Sequence, residues 1–360
     1  MTGSLDIGHT GAGHSDVNHT DTGHTGTGHT AAGLTGLGHM SIDLSKEAAE
    51  YGRQALRAFE AAGGDGLVQA AEREPERREA LVAPVLAELG AWHLDPRGDA
   101  EELEAAAALC RSAGYWALPY PLAERLARPA DLDADGLLVV ADSYPAGAVA
   151  GLGLRWAAVT LDGRRGTAVA RPPDATPRTS AFVTGLDVRP LDDQGARDVA
   201  LGLVLPCWTL LGMLDRAIDL TREHVLVREQ FGQALARFQG VRFQLTDAEV
   251  ERSGAEVLAR YALWSVQADR EEALDEALDD ALALRLAAVE AADVVFRVAH
   301  QLHGATGFCD ETSLSWISRY SQPLRRLPLG LSATRDQLTR RIGRRGLTGL
   351  FGGSPERVAP

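Results

Sequence analysis

Two short segments bring together residue types suited to holding a phosphorylated ligand. The first is Arg228-Glu-Gln230-Phe231-Gly232, followed by Leu235 and by Phe238-Gln239. The second, some 70 residues later, is Gln301-Leu302-His-Gly304-Ala305-Thr-Gly307-Phe308. An arginine just past a helix offers a planar fork to a pyrophosphate. Glycines in Phe-Gly and Gly-x-x-Gly turns let backbone approach a ligand closely. Gln239 and Gln301 can both donate and accept toward a polar edge.

Other candidates are weaker. There is no GxxxxGK[ST] loop, no HExxH and no GxSxG elbow. His300 and His303, three apart near Asp310 and Glu311, have the spacing of a metal pair, but histidines at a helix C-terminus more often serve the last carbonyls. Arg335, Arg340, Arg341, Arg344 and Arg345 would suit a phosphate or an acidic partner, or form a solvated helix face and tail. His9, His14, His19, His24, His29 and His39 belong to a Gly/His/Thr pentapeptide repeat. That segment reads either as metal capture or as a disordered leader, an upstream start or a tag ending in Gly38-His39-Met40; its composition favours the second.

The elements that must position the two segments follow from periodicity. Leu44–Ala62, Glu76–Leu89 and Ala100–Ser112 read as amphipathic helices stopped at Gly63, Gly90 and Gly114. From Asp131 to Arg189, short apolar runs (Leu137–Ala141, Ala157–Leu161, Ala181–Val183) read as strands, with Asp162-Gly163 as a hairpin turn. Helical period then returns. Gly195–Val227 is a long helix, Val241 to Val266 a second with Leu258 on its core face, Leu278 to Ala299 a third, and Ala333–Ile342 a fourth. The two segments fall at helix ends of this expected four-helix bundle.

Composition narrows the class. Residues 1–40 hold 10 Gly, 8 Thr and 6 His, no Lys or Arg and three carboxylates, too little apolar mass to fold. That leaves about 320 residues, mostly α with a small β module, divided as a 1–40 head, a 41–130 helical domain, a 131–191 β domain, a 192–345 bundle and a 346–360 tail. A net charge of −14 argues against nucleic acid. Three dispersed cysteines fit a reducing cytoplasm, and Val199–Leu214 is too short to span a membrane and reads as a buried core helix.

The pattern R-E-Q-F-G-x-x-L-x-x-F-Q, with Q-L-H-G-x-x-G-F after it, resembles the C-terminal domain of acyl-CoA dehydrogenases. The resemblance is strong over Gly195–Leu327, moderate over Leu44–Leu126 and poor between. It implies an N-terminal helical domain, a reduced middle β domain and a C-terminal four-helix bundle. It further implies that Arg228, Gln230, Phe231, Gly232, Leu235, Phe238, Gln239, Gln301, Leu302, Gly304 and Ala305 touch the FAD of a neighbouring subunit. Ala305 stands where the family usually has a second glycine.

The family reaction removes an α-proton from an acyl-CoA with a carboxylate while the β-hydrogen leaves as hydride to the flavin. That needs a desolvated base of raised pKa. The family places it either some twenty residues beyond Phe308, at Leu327-Pro328-Leu329-Gly330, or on the first bundle helix at Gly202. Neither position is acidic, and no other residue is assigned a catalytic or metal-binding role. The Thr-Glu-Pro and Gly-Ser-Asp elements of the middle domain are also missing, as is the strand that holds the flavin ring.

The resemblance therefore implies a degenerate subunit of a heteromeric acyl-CoA dehydrogenase, of the kind that acts on steroid-derived CoA esters, in an α2β2 assembly with a homologous chain. An electron-transfer flavoprotein would be the acceptor. The run Gly307 to Arg326 resembles such subunits more than the fatty-acid enzymes. Two other readings are a self-sufficient dehydrogenase using Asp310 or Glu311, and a scaffold or acyl-CoA-binding protein of the same fold.

Overall fold

The computed structural model describes residues 43–172, 180–267 and 273–346, so the His-rich head and its metal alternative lie outside the described residues. The first helices are α1 (Lys46–Ala61), α2 (Asp65–Arg73), α3 (Arg78–Glu88), α4 (Ala100–Tyr115) and α5 (Leu122–Leu126). The Ser45 side chain accepts from Ala48 N–H to start α1, and Asp99 accepts from Glu102 N–H to start α4. Helix α2 was not expected: its nine residues are too few to show a period, yet Leu67, Val68 and Ala71 are buried.

Gly114 corrects the sequence reading most clearly. It lies inside α4 rather than beyond its end. A Cβ there would come 1.8 Å from the carbonyl oxygen of Thr209, and one on Gly212 would come 1.8 Å from that of Arg111. Two glycines thus let α4 and α6 (Ala196–Val227) cross almost backbone to backbone.

The strands are β1 (Gly136–Val140), β2 (Ala146–Gly147), β3 (Trp156–Thr160), β4 (Arg164–Ala170) and β5 (Thr184–Gln194), in sheet order β1-β3-β4-β5-β2. Strands β1 and β3 are parallel; β3 and β4 form the expected hairpin around Asp162-Gly163, with Val159 opposite Arg165. Ala181–Val183 is a turn, not a strand. Its apolar residue serves a cross-domain contact instead: buried Phe182 lies under the Arg78 guanidinium, 4.3 Å from its ring, and 4.9 Å from the Tyr320 ring.

After α6 come the two-residue strands β6 (Glu229–Gln230) and β7 (Gln233–Ala234), then α7 (Gln239–Val266), α8 (Ala273–His303), α9 (Ser313–Tyr320), α10 (Gln322–Arg326) and α11 (Leu331–Arg345). Helix α8 packs against α6, α7 and α11, which makes the bundle. On α7 the core face runs through Ala248, Ala255, Ala259, Ala262 and Leu263; Leu258 is exposed, contrary to expectation. Helix α6 is long and apolar enough to cross a membrane, but 78 % of its apolar window is buried, with Trp208 wholly inside, as a core helix requires.

A charged network ties α4, α6 and α7 together. Arg111 meets Asp215 at 2.6 Å and Glu256 at 2.8 Å; Arg252 meets the same two acids at 3.2 and 2.6 Å, and Arg260 adds a contact to Glu256.

Candidate functional site

Both predicted segments lie at one end of the bundle. Helix α6 stops at Arg228, whose backbone is extended (φ −77°, ψ 120°). The chain then folds into the β6–β7 hairpin, closed by Leu235 N–H donating to the Arg228 carbonyl at 2.8 Å. Phe231 and Gly232 occupy the turn with φ of 53° and 81°, the backbone of a two-residue type I′ turn. A short 3-10 turn at Leu235–Arg237 leads to Phe238, whose extended backbone caps α7 just before Gln239. Leu235 rests on the core, and the Phe238 ring meets Phe231 edge to face at 6.2 Å.

The second segment ends α8. Gln301 is exposed, Leu302 is buried, and Gly304 turns the chain with φ 62° into a 3-10 turn carrying Ala305 and ending at Phe308. The segments meet through their histidines: His224, one turn before Arg228, stacks on His303 with ring centroids 4.3 Å apart. His300 stacks instead on Phe308 and shares a 2.9 Å hydrogen bond with Ser318, while His303 Nδ1 donates to the Ala299 carbonyl. Burial, reinforced by their charged neighbours, holds His224 and His300 below the ordinary histidine range; burial does the same to His303. Among the described residues no three His, Cys, Asp or Glu are grouped to hold a metal ion.

Around this end the polar side chains are uncommitted. Arg228, Gln230, Gln239 and Gln301 make no side-chain hydrogen bond or ion pair among the described residues, and all four are exposed. A Cβ on Gly232, Gly240 or Gly304 would meet nothing within 4 Å. Phe231 and Phe308 present rings that are 91 % and 68 % exposed. A fork, amides, open glycine backbone and bare aromatic rings together suit a dinucleotide-sized group with a diphosphate.

The positions at which a base was sought come together elsewhere. Gly202 on α6 and Leu327-Pro328 after α10 line one cavity of only about 50 Å³. A neighbouring cavity of about 70 Å³ shares Glu124 with it. A Cβ on Gly202 would come 2.6 Å from Val139 Cγ2, so strand β1 fills the space beside α6. Arg285, 2 % exposed, reaches from α8 and donates to the carbonyls of Leu324 (3.1 Å) and Leu329 (2.7 Å), pinning the loop closed. An acyl ligand needs a site of several hundred Å³. The one carboxylate bordering the cavity is Glu124, which the sequence did not single out; burial raises its pKa above the usual carboxylate range.

Asp310 and Glu311 do not line this cavity. Asp310 accepts from Arg319 at 2.7 Å. Two arginines of α11 turn to acids of α8, Arg335 to Glu290 at 2.6 Å, and Arg341 to Asp275 at 2.9 Å and to Asp279, while Arg340 donates to the Asp336 carbonyl of its own helix. A cavity of about 550 Å³ lies at the other end of the bundle, where Arg97 is already held by Asp198 at 2.8 Å.

Residues 204–333 match the family "Acyl-CoA dehydrogenase, C-terminal domain". The fold is that of the acyl-CoA dehydrogenases, and this stretch is similar to their C-terminal domain. The chain superposes on a variant of the steroid ACAD Tcur3481–Tcur3483 with a TM-score of 0.67 and 21 % identity, covering 84 % of this chain and 99 % of that one. On the ChsE4–ChsE5 complex of Mycobacterium tuberculosis the TM-score is 0.69 at 16 % identity, over 85 % of this chain and 100 % of that one. Acyl-CoA dehydrogenase FadE27 of Mycobacterium tuberculosis is 29 % identical over 137 residues, 37 % of this chain and 36 % of its own length. The chain spans only 26 to 36 % of the length of the curated relatives it matches.

Proposed function

We propose that this chain is the flavin-completing subunit of a heteromeric acyl-CoA dehydrogenase, paired in an α2β2 assembly with a homologous chain that supplies the catalytic carboxylate, the ring-binding β domain and the acyl pocket. One contrast carries the reading. The polar and aromatic residues of the two motifs stand open at the surface, while the chain's own base positions line a cavity of about 50 Å³. The steroid ACAD among its structural neighbours supports a steroid-derived CoA ester as substrate, and electron-transfer flavoprotein is the acceptor such enzymes call for.

FAD, bound mainly by the partner, supplies the hydride acceptor. Toward it, Arg228 neutralises the diphosphate with its fork, Gln239 and Gln301 hydrogen-bond its polar edges, and Gly304 leaves room for close approach. Gln230, Phe231, Gly232, Phe238 and Ala305 form the surrounding wall, with Leu235 and the buried Leu302 anchoring the two segments to the core. The free thiols Cys110, Cys207 and Cys309 support a cytoplasmic setting.

Co-purification with the homologous subunit tests this. The pair should be yellow and the chain alone colourless. Arg228→Ala should weaken flavin retention by the pair about tenfold or more, the worth of charge-assisted hydrogen bonds. A pair without flavin, or one whose flavin is indifferent to Arg228→Ala, contradicts the proposal. Dye reduction by the chain alone with an acyl-CoA would instead favour a self-sufficient enzyme.

A further inference from the structure

Two flavin-facing segments on different helices need a common anchor, and the helix ends supply one. The Arg228 N–H donates to the His224 carbonyl at 2.9 Å, the bond that caps α6, so His224 fixes where the Arg228 segment begins. His303 ends α8, and its carbonyl accepts from Thr306 Oγ1 at 2.8 Å, so it fixes the turn that opens at Gly304. That turn is wound tightly over the ring-bearing residues: a Cβ on Gly307 would come 3.0 Å from His303 Cβ and 3.2 Å from His300 Nδ1. Between the two backbones the rings of His224 and His303 lie face to face, 21° from parallel.

Both rings are half-buried. His303 spends Nδ1 on the Ala299 carbonyl, and the His224 ring makes no hydrogen bond among the described residues, so stacking is what joins them. Burial first, then His303 and Arg228, keeps His224 neutral, and His303 acts in the same way on His300. Among the described residues no carboxylate of α7, of the Leu235–Arg237 turn or of α9 acts on any of the three imidazoles. Two neutral imidazoles stack well, whereas two imidazolium rings at this spacing, beside a guanidinium and without a counter-charge, repel. We infer that His224 and His303 are positioning residues, whose neutral stack holds the Arg228 and Gly304 segments at the spacing that one flavin spans, and that protonation of the stack releases them. This inference rests on the flavin reading above. It gives flavin retention an acid sensitivity of fixed sign: the stacked form excludes a proton that the opened form accepts, so affinity is full at neutral pH and falls as pH drops below the histidine range.

Two measurements test it. Ring-proton NMR on the full chain alone needs no flavin: His303→Phe, which keeps a ring in the stack and removes its charge, should raise the titration midpoint of His224, and an unmoved midpoint overturns the coupling. In the pair with the homologous subunit, flavin affinity followed by fluorescence should fall at least about threefold between pH 7.5 and pH 5.0. His224→Phe should match the wild type at pH 7.5 and lose most of that fall, while His224→Ala should weaken flavin at both pH values. An acid response left whole in His224→Phe overturns the inference. So does tighter flavin binding in acid, which would mean that imidazolium rings meet the diphosphate directly. A pair that loses flavin on Arg228→Ala yet is indifferent to His224→Ala and to pH overturns this inference alone; a pair that holds no flavin at either pH overturns the flavin reading and this inference with it.

Discussion

Phe231 combines two unfavourable features. Its φ of 53° lies in the left-handed region, and its ring is 91 % exposed. A bulky side chain there costs about 1–2 kcal/mol, and the turn it occupies favours Asn-Gly or Asp-Gly. Phe231→Asn should therefore raise the stability of the isolated chain by roughly 1 kcal/mol, seen as a rise in Tm, while lowering the flavin retained by the pair. A variant that gains neither stability nor a flavin defect would show that the ring has no role. At this scale the motif residues were legible because their chemistry is local: a fork, two amides and glycines at turns. Glu124 and Arg285 were not, since a carboxylate beside prolines and an arginine within a helical period acquire meaning only when distant elements close around them. The spacing of His300 and His303 suggested a pair, yet each ring stacks on a different partner, because α6 brings His224 against His303.

Among the elements, the crossing of α4 and α6 depends on Gly114 and Gly212. Gly212→Ala would drive a methyl into the Arg111 carbonyl at 1.8 Å, forcing the helices apart. Urea denaturation should show a loss of more than about 2 kcal/mol, against a gain of about 0.5–1 kcal/mol for Gly343→Ala, whose Cβ would meet nothing within 4 Å. Equal effects would mean that the crossing tolerates separation. The same contrast explains a misread boundary. Glycine marked true helix ends at Gly63 and Gly90, but at Gly114 it serves close approach, and one residue type gives both signals. The long helices α6, α7 and α8 were legible from their period, whereas α2, α9 and α10 run for five to nine residues and show too little of it.

Across the whole molecule, the network around Glu256 contributes to the response to acid, its two acids being shifted in opposite directions, since burial holds Asp215 above the ordinary carboxylate range. Burial alone would raise the Glu256 pKa, but Arg111, Arg252 and Arg260 outweigh it and bring the group down to about 2. The unfolded chain then binds more protons than the folded one between the ordinary carboxylate range and pH 2. The contribution is present above about pH 4.5 and is lost as pH falls toward 2. Glu256→Gln should cost on the order of 2–3 kcal/mol at pH 7 and flatten the acid limb of the stability curve, measured by denaturant titration at pH 7 and pH 3. A variant whose deficit is the same at both would assign the effect to packing. The order of helices, sheet and bundle was legible from composition, because each layer has its own period. The narrowness of the cavity at Gly202 was not, since it follows from where β1 and the loop before α11 come to rest.

That narrowness has a further consequence. At the two positions where a base was sought, space is missing as much as an acid. A glutamate placed at position 202 would begin 2.6 Å from Val139 Cγ2, and one placed in the loop would enter a turn that Arg285 holds by two carbonyls. Neither placement helps without the other elements moving too. β1, α8 and the loop before α11 occupy the space that either side chain would need, so no single substitution at these positions opens a site there.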